Sequence, residues 1–507
     1  MANTVYQQIT GNYGGLQMPA IYSDGMVLQR ETPLSIHGIA DADEEVTVSI
    51  EKQKAKAKTG KDGQWAVKLK PLKAGGPYTL TVSTKKQKLT FQDVMIGEVW
   101  LCSGQSNMAF TLRNAAEAIQ NSKIKNQNVP SLRLYNLNPI CWTDNVEWDS
   151  LSLVQVNELK YLKPAKWTDC TQETAANFSA VAYFFGRMLQ DSLQVTIGLI
   201  CNAVGGTNTE SWIDRHTLEF EFPNILNDWL HNDFIQDWCR ERGAKNIALA
   251  LKKDAGFTMA KNGESLQRHP YQPCYMYEAG IEPLQQFHIR GVIWYQGESN
   301  AHNKDAHAKL FQLLVDSWRK NWQQPDMPFL FVQLSSLNRP SWPWFRDSQR
   351  LLSQQIPYTG MAVSSDVGDS LDVHPRRKQP VGERLARLAL ADVYRHPYFK
   401  KHPSAAQGPV MTEAKRHGHE AVVHFEYTTA KGLSSCDSTA LRTFELADEC
   451  GIFHPAEAKV KGTNVHVSSS EVKHPTAVRY GWQPFTRANL INAYGMPAST
   501  FYTLIRQ

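Results

Sequence analysis

A change of hydrophobic period divides this chain. Between about residues 94 and 399, short apolar runs alternate with longer segments of helical spacing. "VMIGEVWLCSG", "VTIGLICNAVGG", "IRGVIWYQGESN", "PFLFVQLSS" and "GMAVSSDVGD" read as buried strands. "NFSAVAYFFGRMLQDSL", "DAHAKLFQLLVDSWRKNW" and "VGERLARLALADVY" carry apolar residues at the helical period. Strands separated by helices of this length predict a parallel sheet covered on both faces.

On either side the period falls to two. From about Met18 to Asp93, "PLSIHGIA", "EEVTVSIE", "GQWAVKLK" and "YTLTVSTKKQKLTF" alternate between Gly, Asp and Lys turns, which predicts a small all-β sandwich. From Pro403 to Gln507, "EAVVHFEY", "AEAKVKGTNVHVSS" and "STFYTLI" predict a second one. The expected division is 1–93, 94–402 and 403–507, and a length of 507 residues accommodates it.

Composition narrows the function. With 42% hydrophobic and 20% charged residues the chain can build packed cores. A net charge of +5, with no Lys/Arg block, is too dilute to argue for nucleic acid. The basic stretch Lys52–Lys58 is expected on a solvated strand face. No apolar run reaches the ~18–20 residues of a membrane span. Met1 to Gly15 shows no apolar core of a signal peptide, which fits a cytosolic protein or a chain trimmed of its leader. Eight cysteines without a C-x-x-C pair speak against a cysteine-built metal site. Cys436 and Cys450 are near enough to close a small loop, and equally read as free buried thiols.

The chemistry-bearing clusters sit where a parallel sheet gathers function, after the apolar strands. In "LCSGQSNM", Ser106 follows a strand on a tight glycine turn. It reads as a nucleophile held above the sheet edge if a base takes its proton, or as a cap for the next helix. In "SLDVHP", His374 lies in a loop before Pro375, with Asp372 two residues back to orient it. The same tripeptide also reads as a surface turn. Gly205 and Gly206 in "NAVGGT" allow an amide N–H to approach an oxyanion, or simply turn the chain. Gln296, Glu298 and Asn300 follow "GVIW". An amide there can donate to an oxyanion, and a glutamate can act as a third catalytic acid or hold a loop. Trp142, Trp148, Trp212, Trp342 and Trp344 are candidates for stacking on sugar rings or for core packing.

On "GEVWLCSGQSNM" and "GVIWYQGESNA", supported by "SDGMVLQR", "FSAVAYFFGRML", "IGLICNAVGGTNTESWI" and "DVHPRRKQPVGERLA", the chain resembles the sialate O-acetylesterase family of the SGNH hydrolase superfamily over nearly its whole length. The resemblance implies a flavodoxin-like three-layer α/β/α hydrolase domain flanked by N- and C-terminal β-sandwich domains. It implies a serine carbohydrate esterase that removes O-acetyl groups, with 9-O-acetylated sialic acid as substrate. Acetylated xylan or xyloglucan oligosaccharides are the alternative. Carried over, Ser106 is the nucleophile, His374 the base, and the Ser106 and Gly205 N–H groups with the Gln296 side chain form the oxyanion hole. The wider superfamily spaces its acid D-x-x-H, and here that place holds Leu371. Asp372 matches the shorter D-x-H form, with Glu298 as the rival and Asn300 in support. No metal or other cofactor is implied, and the oligomeric state is left open. Bacterial members are commonly exported, so a periplasmic or secreted location is expected, with the cytoplasm as the other option. A non-catalytic carbohydrate-binding protein and an amidase or protease using the same serine are the competing classes.

Overall fold

The computed structural model describes residues 15–120, 128–252 and 266–506. Most of the stretch read for a leader, Met1 to Gly15, lies outside them. One long strand, Lys88–Gly104 (β1), organises the rest. Around it run Val129–Leu137 (β2), Trp167–Cys170 (β3), Ile197–Ala203 (β4), Gly291–Tyr295 (β5), Phe329–Val332 (β6) and Thr359–Ala362 (β7). Their order is β7-β6-β5-β1-β4-β2-β3, parallel throughout except for the antiparallel edge pair β2/β3. The chain passes from β4 on one side of β1 to β5 on the other. The carboxyl end of β1 is therefore a switch point of the kind where open α/β sheets place their ligands.

Both faces of this sheet are covered, which is why its strands are apolar without alternation. Val99 and Leu101 join one core with Leu310, Leu314 and Trp318, whereas Trp100 and Cys102 join the other with Phe185 and Leu385. The second core belongs to helices Ala180–Leu193 (α1) and Gln379–Leu388 (α4), and the first to Lys304–Asn321 (α2), with Trp342–Gln355 (α3) packed beside it. Local chemistry starts these helices. Ser179 Oγ accepts the Ala182 N–H (3.1 Å) and Asn303 Oδ1 the Ala306 N–H (3.0 Å), each satisfying a donor that the helix leaves orphaned.

The N-terminal unit shares β1 with the central sheet. Gly75–Ser83 pairs antiparallel with residues 88–96 of β1, and Val27–Gln29 pairs parallel with Met95–Gly97. Residue 93, where the sequence changes texture, thus lies inside a continuous strand. Glu45–Ile50 and Gln53–Lys58 extend that sheet, and Leu34–Ile39 pairs with Gln64–Leu69 as a separate ladder. Lys54, Lys56 and Lys58 are exposed on one face, as their spacing predicts. In the C-terminal unit, strands between Met411 and Arg506 form an eight-stranded sheet over a core that includes Val423, Leu446, Val465 and Phe501. Cys436 and Cys450 are free, and they are exposed rather than buried. Among the described residues no helix is long and apolar enough to cross a membrane.

Arg346 on α3 ties the C-terminal unit to the central one. Fully buried, it donates to the carbonyls of Gly481 (3.0 Å), Gln483 (2.7 Å) and Pro484 (3.0 Å). Replacing it with methionine, Arg346→Met, keeps the stem but leaves these acceptors unmet. Urea unfolding should show a loss of about 3 kcal/mol, with early proteolytic cutting beyond residue 403. Unchanged stability would mean that the docking does not depend on this guanidinium.

Candidate active site

The site begins where β1 stops. Gly104 has φ +133°, and a Cβ there would lie 2.2 Å from the Tyr295 carbonyl oxygen, so a side chain is excluded. The same carbonyl accepts the Gln105 N–H at 3.0 Å, which fixes the turn onto the end of β5. Ser106 then opens a helix of four residues, Ser106–Ala109. So short a helix has little macrodipole, and any electrostatic help must come from individual N–H groups. Gly205, in the turn after β4, lies against the serine: a Cβ on Gly205 would be 3.8 Å from Ser106 Cβ. Among the described residues, neither the Ser106 N–H nor the Gly205 N–H has a protein acceptor. Thr143 Oγ1 (2.7 Å) and the Tyr271 hydroxyl (3.2 Å) hold the Gly205 carbonyl and so set the orientation of this turn.

His374 reaches Ser106 from the loop before α4. Its Nε2 is 2.8 Å from Ser106 Oγ. Phe110 stacks on the imidazole, with centroids 6.4 Å apart. Asp372 Oδ1 accepts the His374 backbone N–H (2.8 Å) and lies 3.6 Å from Nδ1, so it faces the ring as a charge and grips the backbone directly. Burial, then the Lys378 ammonium, lowers the His374 pKa, and Asp372 opposes them. The imidazole is therefore neutral at neutral pH and free to accept a proton.

Glu298 stands elsewhere. It is buried, and its Oε1 accepts from Asn107 Nδ2 (2.5 Å), while Oε2 has no partner. Asn107 Nδ2 also donates to the carbonyl of Val373 (2.9 Å), and Asn107 Oδ1 accepts from Lys378 Nζ (2.5 Å). Burial raises the Glu298 pKa and pulls that of Lys378 down to about 7.

Gln296 and Asn300 form a third group, fully buried. Gln296 Nε2 donates to Asn300 Oδ1 (2.7 Å) and to the Thr207 carbonyl (3.3 Å), and its Oε1 accepts from Thr209 Oγ1 (2.7 Å). Asn300 Nδ2 donates to Glu210 Oε2 (2.9 Å), whose carboxyl burial pushes up to about 7. In this geometry both Gln296 amide hydrogens are engaged, one with Asn300 and one with the Thr207 carbonyl in the segment that follows Gly205. Among the described residues no cluster of three His, Cys, Asp or Glu side chains could hold a metal ion.

This serine–histidine pair at the carboxyl edge of a parallel sheet has a family context. The family profile described as "Carbohydrate esterase, sialic acid-specific acetylesterase" matches residues 96–238 and 255–391, more than half of the chain. The chain belongs to this family. A carbohydrate acetylesterase from Xanthomonas citri has a solved structure with a TM-score of 0.77 and 31% identity, covering 96% of this chain and 99% of its own. Sialate O-acetylesterase from Mus musculus is 29% identical, over 92% of this chain and 90% of its own. The Homo sapiens protein of that name is 27% identical, over 92% and 88%.

In this carbohydrate esterase the fold brings Ser106, His374, Asp372 and Gly205 together, with Glu298 joined to them through its hydrogen bond to Asn107, the residue after Ser106. Asn107, Lys378 and Thr143 were not singled out from the sequence. Asn107 stood in plain view beside Ser106. Lys378 is the last of three cations in "RRK", and nothing in the run marks it as the buried one. Of the five tryptophans, Trp148, Trp212 and Trp342 are buried, whereas Trp142 and Trp344 are exposed.

The pKa causes yield a signed test on Asp372. Its charge raises the His374 pKa, so Asp372→Asn should move the acid limb of kcat/KM for p-nitrophenyl acetate to lower pH. The rate should also fall roughly 10-fold or more as the imidazole loses its orienting partner. An acid limb that stays in place would remove Asp372 from the role.

Proposed function

We propose that this carbohydrate esterase is a serine O-acetylesterase, acting on 9-O-acetylated sialic acid. The observation that carries the reading is the 2.8 Å contact between Ser106 Oγ and His374 Nε2, beside two unengaged amide N–H groups. Ser106 Oγ attacks the acetyl carbonyl carbon while His374 Nε2 takes its proton. The negative charge on the carbonyl oxygen is met by the N–H groups of Ser106 and Gly205. Collapse breaks the ester bond, and the imidazolium protonates the departing sugar oxygen, which leaves as a hydroxyl. Water, deprotonated by His374, then cleaves the acetyl-enzyme and frees acetate.

Asp372 is the acid of this triad, supported by its approach to Nδ1; Glu298 makes no such approach. Gln296 serves as a third oxyanion donor only by giving up one of its bonds, to Asn300 or to the Thr207 carbonyl; as placed, the latter holds the backbone after Gly205. Losing one oxyanion donor should cost about 10²–10³ in rate. Trp142, exposed and next in sequence to the Thr143 that grips Gly205, is a candidate for stacking on the sugar. The reading also assigns the central unit to the flavodoxin-like, three-layer SGNH class, with the terminal units as flanking β-sandwiches and a periplasmic or secreted setting. Helices on both faces of the central sheet support the three-layer part of that assignment.

Acetate release should be measured on 9-O-acetylated sialoglycan and acetylated xylo-oligosaccharide, with Ser106→Ala as control. Release from the sialoglycan, abolished in the variant, is expected. Release from the xylo-oligosaccharide alone would keep the chemistry and replace the substrate. No release from either would favour a binding protein.

A further inference from the structure

Beneath the nucleophile lies a charged group that the acyl-transfer steps do not use. Lys378 has no solvent exposure. Its ammonium donates to Asn107 Oδ1 at 2.5 Å and sits 4.6 Å from the Phe110 ring centroid and 5.5 Å from that of Tyr295. Those rings supply only cation–π attraction, so the amide oxygen is the one hydrogen-bond acceptor the ammonium has among the described residues. A buried cation is costly unless something pays for its desolvation, and the counter-charge, Glu298, is reached only through Asn107.

Asn107 can connect them because its amide has two ends. Its NH₂ meets two acceptors, Glu298 Oε1 and the Val373 carbonyl, and its oxygen therefore has to face a donor. Lys378 is that donor. The bridge ties three chain segments into one unit: the residue after Ser106, the turn after β5, and the residue before His374. We propose that Lys378 is a positioning residue which, through Asn107, fixes the backbone on which Ser106 and His374 approach each other.

The ammonium also acts on the base through space. The charged and titratable groups around it are Glu298, Asp372, Glu117, His374 and the phenol of Tyr295; Glu117 Oε2 accepts the Lys378 backbone N–H at 3.2 Å. Its charge helps to keep His374 unprotonated, in the opposite sense to Asp372. A residue that merely filled space would have no such effect on titration.

The inference rests on the serine–histidine reading, and the test separates the two. Lys378→Met retains the stem against Phe110 and Tyr295 but removes donor and charge. In steady-state hydrolysis of p-nitrophenyl acetate, kcat should fall about 10-fold or more with KM little changed, as expected for misplaced reacting groups. The acid limb of kcat/KM should move to higher pH, because the charge that depresses His374 is gone. Wild-type kcat in folded Lys378→Met, or a lower kcat with an unmoved acid limb, would overturn the proposal. If that variant does not fold, Asn107→Ala cuts the same bridge from the middle; it should lower kcat at constant KM, and a normal kcat there would overturn the proposal. Ser106→Ala run in parallel guards the premise. Activity surviving in it would defeat the nucleophile assignment itself, whereas loss there with a normal Lys378→Met would defeat only the role of Lys378.

Discussion

Residues 100–104 of β1 pair on both sides, with β4 and with β5, and this double pairing fixes the edge at which the candidate site sits. Neither neighbour can shift without breaking a ladder, so the end of β1 is among the best-determined points of the fold. Gly104 converts that rigidity into a turn. Its approach to the Tyr295 carbonyl leaves no room for a side chain, and the chain must lift Ser106 off the sheet edge at that residue. The turn after β4 follows alongside, since the Val204 N–H donates to the Gly104 carbonyl at 3.1 Å. The proposed nucleophile and oxyanion donor are thus set by backbone pairing, and only the proposed base arrives from a distant loop.

That loop is controlled by a contest of charges and burial. Asp372 is half exposed, so solvent screens its field and its pull on the imidazole is modest. Burial under Phe110, together with the Lys378 ammonium, outweighs it and holds the His374 pKa below its ordinary value. A base of this kind needs no strong acid partner to be ready near neutral pH. In the proposed mechanism, Asp372 supplies orientation, through the backbone N–H it accepts, and stabilisation of the imidazolium once it forms. The buried Gln296–Asn300–Glu210 group plays a comparable steadying part for the segment after Gly205.

Much of this was legible from the residues because each signal had a single physical source. Apolar runs without alternation meant strands covered on both faces, and Val99–Cys102 shows the two cores dividing alternate side chains. The polar clusters after those runs meet at one sheet edge because parallel strands share a carboxyl end. The extent of β1 was hidden, since its first half alternates at a sheet surface and its second half is buried on both sides; one strand presents two patterns. Burial of Lys378 was hidden for another reason. Arg376 and Arg377 remain exposed beside it, and only the tertiary approach of Asn107, Phe110 and Tyr295 distinguishes the three cations. The hydrogen-bonding of Gln296 was likewise a matter of partners remote in sequence.

The central claim is that Ser106 is a nucleophile activated by His374, and covalent trapping tests it most directly. The protein would be treated with an organophosphate ester such as paraoxon and the adduct located by peptide mass spectrometry. A single diethylphosphoryl adduct on Ser106, absent when His374 is replaced by alanine, is the predicted result. An adduct on another serine, or none while the untreated protein releases acetate from its substrate, would contradict the account.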